Sequence, residues 1–388
     1  MNAHQPFRLR LASILMMSLA AADAGAAAPS DCPIVAGSAA VLRPGAHLLL
    51  GEVHGTREIP RVVADLACAA AKMGPLRVGL EIAAAEQARF DTFIASPGRA
   101  IDRDRLHEDG DFWSGTFQDG RRSEAMLALL EALRQLRQQG ADVRVIAYDG
   151  DPGKDRDLAM ATVLGNAFRA EPRATFLVLS GNLHARKTGL RMKQTFMAGH
   201  LVKSGAALTT LDARFGVGTA WACFGPLPTD CGPNVRSAGG TGKTRGITLG
   251  RTADGAYDGT FDVGTTTYSP PAFVQPSAIQ AARIPLLPQQ VEAKIAVEAK
   301  QFGRCADIHV AVAKRDVEHY SEHAYYAACC YAQAGETDRA FAQLSDALDH
   351  GPVDAVLAAG DRDLQSLHAD PRWSALMTRL RAQKPASH

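Results

Sequence analysis

Between Leu48 and Pro60 the chain reads LLLGEVHGTREIP, so that Glu52, His54, Arg57 and Glu58 follow an aliphatic run and a glycine. A histidine titrates near neutral pH and, polarised by a carboxylate, can take a proton from water. An arginine at the start of a helix can face a developing anion. A second Gly-x-x-His, Gly181-Asn182-Leu183-His184, follows the apolar run TFLVLS. Glu81 sits at the end of RVGLEI, and Asp149 follows VRVIAY. These residue types point to acid–base chemistry on water. No GxSxG elbow is present, so a serine esterase is not supported. SAGGTGKT, Ser237 to Thr244, has serine where a phosphate loop needs its first glycine, and no apolar strand precedes it.

Such residues need elements to bring them together. HLLL (His47 to Leu50), RVGLEI (Arg77 to Ile82), VRVIAY (Val143 to Tyr148) and TFLVLS (Thr175 to Ser180) have the length of buried strands. Helical patterns lie between them, including Ser123 to Gly140. The alternation predicts an α/β fold with a mainly parallel sheet flanked by helices. Ligands gather outside the carboxyl ends of parallel strands. All four strands deliver a polar residue at that end, so Glu52 to Glu58 would form one wall of a site and His184 the opposite wall. The glycine of each Gly-x-x-His is expected to let the backbone turn sharply and leave space beside the histidine. ALTTLDARF and GTAWACF read as later strands, antiparallel at the sheet edge. Residues 225–275 read as a loop with a short strand near YDGTFDVG.

At 388 residues the chain has room for two or three domains. With 46% apolar and 21% charged residues and a formal charge of +1, it carries no basic footprint for nucleic acid. Residues 1–28 have the make-up of a signal peptide: Arg8 and Arg10, an apolar core from Leu11 to Ala22, then small-residue cleavage patterns. They predict a periplasmic or secreted protein with no membrane span after signal removal. Seven cysteines follow, an odd number. Proximity pairs Cys32 with Cys68, Cys223 with Cys231, and Cys305 with Cys329 or Cys330. The α/β domain is expected over 32–275, a linker over 276–290, and a smaller all-α domain over 291–388. In the last, HAYYAACCYAQAGETDRAFAQLSDALDHG resembles a tetratricopeptide-type helical hairpin turning at Gly335, which would offer a surface to a protein partner. His319 and His323, four residues apart, are expected to lie on a solvated helix face.

LGEVHGTREIP, VGLEI, RDLAMA (Arg156 to Ala161) and LSGNLHARK together resemble the superfamily that joins erythromycin esterases, ChaN-like haem-binding proteins and Tiki-type proteases, over roughly residues 32–275. The resemblance implies a hydrolase in which His54 and Glu81 lead catalysis, with Glu52, Arg57, Glu58 and His184 around them. Arg57 or His184 would meet the oxyanion. Asp149, Asn182, Trp113 and Arg121 would line the substrate walls. The substrate would be a small molecule or a peptide. The Tiki-type branch implies a divalent metal, for which His54, His184 and Glu81 would be ligands leaving a water position open. The ChaN-like branch implies haem or metal binding without catalysis.

Overall fold

The computed structural model describes Met1 and residues 32–108, 111–150, 155–190 and 194–383. Apart from Met1, the expected signal segment lies outside the described residues. The chain runs β1 (His47–Glu52), α1 (Glu58–Ala71), β2 (Leu76–Ala83), α2 (Gln87–Ala95), α3 (Ala100–Glu108), α4 (Asp111–Ser114), α5 (Glu124–Gln138), β3 (Val143–Asp149), α6 (Arg156–Ala170), β4 (Thr175–Gly181), α7 (Met197–Lys203), β5 (Thr209–Arg214), β6 (Gly218–Cys223), β7 (Cys231–Arg236), β8 (Arg245–Leu249) and β9 (Gly259–Val263).

Seven strands form one sheet in the order β3-β2-β4-β1-β5-β9-β8. All neighbours are parallel except β8 and β9. The strand residues alternate between two apolar layers, as a sheet buried on both faces requires. Leu48, Leu50, Val78, Leu80 and Leu177 pack with α1, α2 and α5. Leu49, Phe176 and Val178 pack on the other face with Met160 and Leu164 of α6 and Leu201 of α7. Burying each such side chain contributes about 1.5–3 kcal/mol. Ser123 caps α5 by accepting from the Met126 amide.

The later strands depart from expectation. β5 is not an antiparallel edge; it lies parallel between β1 and β9. β6 does not join the main sheet but pairs with β7 in a separate hairpin. Trp221 of that hairpin is buried, and it donates through its backbone amide to Gly55 and through its indole to the Gln118 carbonyl. Those anchors hold the hairpin over the ends of the central strands.

The C-terminal part is helical: α8 (Ala278–Arg283), α9 (Leu287–Glu298), α10 (Phe302–Ala313), α11 (Tyr320–Gln333), α12 (Thr337–His350), α13 (Ala355–Gly360) and α14 (Pro371–Ala382). It has its own apolar core around Tyr331, Phe341 and Leu344. α11 and α12 form the expected hairpin, turning at Gly335 with φ 77°. Residues 276–290, the expected linker, hold α8 and the start of α9. Ser277 opens α8 through a capping box with Gln280, and Gln280 donates to the Cys231 carbonyl. One side of the helical unit is thereby closed against the β6–β7 hairpin.

Disulfides join Cys32 to Cys68, Cys223 to Cys231 and Cys305 to Cys330, leaving Cys329 a buried thiol. Among the described residues no helix is long and apolar enough to cross a membrane.

Candidate active site

The sheet order places β4 between β2 and β1, so the ends of three strands meet. Glu81 alternates with Leu80 and Ile82, which face the α1–α2–α5 layer, and is therefore turned to the opposite face. It is buried, and its Oε2 accepts the Gly181 amide at 2.8 Å. Its Oε1 accepts from Arg121 at 3.1 Å and from Arg156 at 2.7 Å. His54 leaves the tip of β1 and bonds Glu52 through Nδ1 at 2.8 Å, while its Nε2 stands 3.8 Å from Glu81 Oε2. His184, beyond β4, approaches Glu81 Oε1 to 3.9 Å.

His184 Nδ1 lies 2.7 Å from Asp157 Oδ1, and its Nε2 lies 3.1 Å from Arg156 Nη1. A guanidinium only donates, so Nε2 accepts and the imidazole proton sits on Nδ1. Asp157 also accepts the Met197 amide at 2.8 Å, which holds the carboxylate in place. Arg121 and Arg156 both reach Asp149, and Arg121 also binds Asp119. Arg121 and Asp149 are thus scaffold ions at the back of the site rather than free substrate contacts.

Burial alone would push the His54 imidazolium down; the Glu52 carboxylate, and then Glu81, outweigh it and hold His54 at about 9. Burial alone would push Glu81 up; His54, Arg121, His184 and the Gly181 amide outweigh it and hold Glu81 at about 2. Asp119 is held below its ordinary range, burial being outweighed by Arg121. At neutral pH the centre is therefore an imidazolium between two carboxylates, backed by two guanidiniums.

These groups open on a cleft of about 450 Å³ lined by Glu52, His54, Asp119, Asn182, His184 and Arg236, with Val53, Leu183, Phe215 and Ala222 as its apolar wall. Gly51 and Gly181 close their strands without left-handed φ, so neither makes the sharp turn expected of it. Both serve close approach instead. A Cβ on Gly51 would stand 3.0 Å from the Asn182 Cα, and one on Gly181 would stand 3.1 Å from His54 Nε2. The left-handed glycine is Gly55, φ 73°, where a side chain would strike the Trp221 carbonyl.

Three expected residues are elsewhere. Arg57 is half-exposed and donates to the Tyr268 carbonyl and to Glu124. Glu58 accepts from the amide and hydroxyl of Thr267. Both fasten the start of α1 to the segment after β9, so neither lines the cleft. Trp113 is 1% exposed and packs edge-on against Phe112 and Phe273 in the core. Conversely, Arg156, Asp157 and Arg236 carry the site without having been singled out. Arg156 and Asp157 open the RDLAMA segment, and two adjacent charges at a helix start were the available signal.

The proposed metal donors do not fit an ion. A zinc-type site needs free lone pairs about 2.0–2.2 Å from one point. His184 Nε2 faces Arg156, and both Glu81 oxygens are filled by guanidinium or amide donors. A cation here would lie against two arginines. Among the described residues no group of three His, Cys, Asp or Glu is placed to hold a metal. Haem would need an apolar slot with an axial ligand, whereas this cleft is small and charged. A larger cavity, about 560 Å³, lies between the β6–β7 hairpin and the helices α9–α11. His323 lines it and is buried beside Asp316 and His309, so it is not on a solvated face.

No protein-family model matches the sequence. No curated protein matches it either. Among solved structures, the chain is similar to a mutant of the erythromycin esterase EreC in its open conformation, with a TM-score of 0.44 and 12% identity over 59% of this chain and 93% of that one. It is also similar to a succinoglycan biosynthesis protein, with a TM-score of 0.42 and 12% identity over 58% of this chain and 89% of that one. A protein from Bacillus cereus is a third, with a TM-score of 0.38 and 11% identity over 59% and 91%.

Proposed function

We propose that the protein is an exported hydrolase that activates water at His54 against an ester or amide bond of a small molecule or peptide. The observation that carries this reading is the 2.8 Å Glu52–His54 contact opening on a cleft that holds a second carboxylate-oriented imidazole, His184. The neutral form of His54 takes a proton from water at Nε2. The water oxygen bonds to the acyl carbon, and charge collects on the carbonyl oxygen, met by the Asn182 side chain on the rim. When the tetrahedral species collapses, the C–O or C–N bond breaks and the leaving group takes the proton back from Nε2. Glu52 holds the ring in its tautomer, and the two carboxylates stabilise the imidazolium formed, the role a carboxylate has in other base-paired histidines. Three disulfides support the exported compartment.

The test is a panel of 4-nitrophenyl esters and aminoacyl anilides, run with wild type and His54→Ala. A positioned general base contributes about 10²- to 10⁴-fold, so the variant should fall by that factor. Equal turnover by the two proteins, or none by wild type on any panel member, sinks the reading.

A further inference from the structure

Among the described residues, every buried or half-buried ion of the cleft but one is matched. Glu52 has His54, Glu81 has two guanidiniums, and Asp119 has Arg121. The exception is Arg236, the last residue of β7, which lines the cleft with His54 and His184. It is half-buried, and among the described residues no carboxylate pairs with it. Its guanidinium carbon lies over the Phe224 ring, 4.2 Å from the centroid, and its Nε is buried with no hydrogen-bond partner. Burial pushes its charge toward loss, with only the Tyr326 side chain acting the other way.

We propose that Arg236 binds an oxyanion, a carboxylate or phosphate, carried by the substrate, so that this cleft takes anionic esters or amides. Arg236 lines the cleft with its guanidinium against Phe224, and a guanidinium can donate two N–H groups to two oxygens of one anion side by side. A cation partly stripped of water and lacking a counter-ion gains most from such a partner. The neighbouring carboxylates do not compete for the place, because each is already held by another cation. Leu183, 46% exposed, lines the cleft with Val53 and Phe215, which leaves apolar surface for the carbon skeleton beside the anion. The hairpin that presents Arg236 and Phe224 is clipped by Cys223–Cys231 and anchored through Trp221, so the cation is held rather than trailing.

This assignment rests on the hydrolase reading for the word substrate, but its test does not need turnover. Hexanoate, its neutral isostere hexanamide, and inorganic phosphate are titrated by calorimetry into wild type, Arg236→Gln and Arg236→Lys. A charge-assisted contact is worth about ten- to a hundred-fold in affinity. Hexanoate should bind wild type at least about tenfold tighter than hexanamide, lose that advantage in Arg236→Gln and keep part of it in Arg236→Lys. If phosphate instead binds tighter than hexanoate and depends on Arg236 in the same way, the oxyanion is a phosphate. Should Arg236→Gln fold poorly, phenylglyoxal labelling of wild type answers the same question, since hexanoate or phosphate should protect Arg236 and hexanamide should not. Equal hexanoate and phosphate binding in wild type and Arg236→Gln, or no saturable binding of either anion, overturns the proposal. Arg236-dependent binding without any ester or amide turnover would leave the anion site standing and remove the hydrolase reading alone.

Discussion

Gly181 lies beneath His54: a methyl group at its Cα would stand 3.1 Å from His54 Nε2 and 3.5 Å from Glu81 Oε2. The space that a side chain would take is the space in which the imidazole and the carboxylate face each other. Gly181→Ala should therefore displace the ring by a few tenths of an ångström. We expect turnover to fall by about a hundredfold, the cost of a small misplacement of a reacting group, while the fold loses only about 1–3 kcal/mol by overpacking. Steady-state kinetics beside a thermal melt separates the two; an active Gly181→Ala would show that the His54–Glu81 contact is not needed.

His54 is held at about 9, so its neutral form grows as pH rises toward that value. As a base, it should give a kcat/KM profile that climbs through neutral pH and levels above about 9, because kcat/KM reports the free enzyme. Glu52→Gln removes the closest carboxylate and should move the limb toward acid by about one pH unit or more. A profile that falls above pH 9 would instead make His54 the acid.

Glu81 is the anion on which Arg121, Arg156 and the Gly181 amide converge. Glu81→Gln leaves Arg121 with Asp119 and Asp149 and Arg156 with Asp149, and should cost about 1–3 kcal/mol for the lost charge-assisted hydrogen bonds, read by chemical denaturation at neutral pH. The folded carboxyl is depressed from its ordinary 4.5 to about 2. Its contribution is thus present above pH 4.5 and fades as pH falls toward 2. Wild type should lose more stability than Glu81→Gln over that interval; parallel curves would remove Glu81 as the electrostatic centre.

Arg57→Ala separates the structural assignment from the sequence expectation. Arg57 is half-exposed and tied to the Tyr268 carbonyl and Glu124, away from the cleft. The change should alter stability by about 0.5 kcal/mol or less, with kcat and KM unaltered. A large fall in kcat would bring Arg57 back into the reaction.

Cys329 is buried between Tyr325 and Asp361, and burial pushes its thiol well up. Iodoacetamide without reductant should leave it unlabelled in the folded protein and label it alone once the chain is unfolded. Peptide mapping that finds Cys329, rather than Cys330, joined to Cys305 would overturn the observed pairing.

The sequence by itself determined the parts whose causes are local. Apolar runs of strand length, the Ser123 cap, the Gly335 turn and the polar residue at each of four strand ends were legible because each depends on a few neighbouring residues. So was the convergence of Glu52, His54, Glu81 and His184, which needs only that the strands be parallel. Proximity likewise paired the cysteines, down to a choice between Cys329 and Cys330. The tertiary structure decided what depends on distant partners. Chain order is β1, β2, β3, β4, but spatial order is β3-β2-β4-β1, and it is the insertion of β4 that sets Gly181 between His54 and Glu81. Arg57, Glu58 and Trp113 have the right chemistry for a site but point elsewhere, because the segment after β9 and the aromatic core capture them. Arg156 and Asp157 come into the site because α6 starts above the strand ends, and Arg236 because a hairpin excluded from the sheet folds back over the cleft. Residue type and spacing state which side chains can do chemistry; only long-range pairing decides which of them face one another.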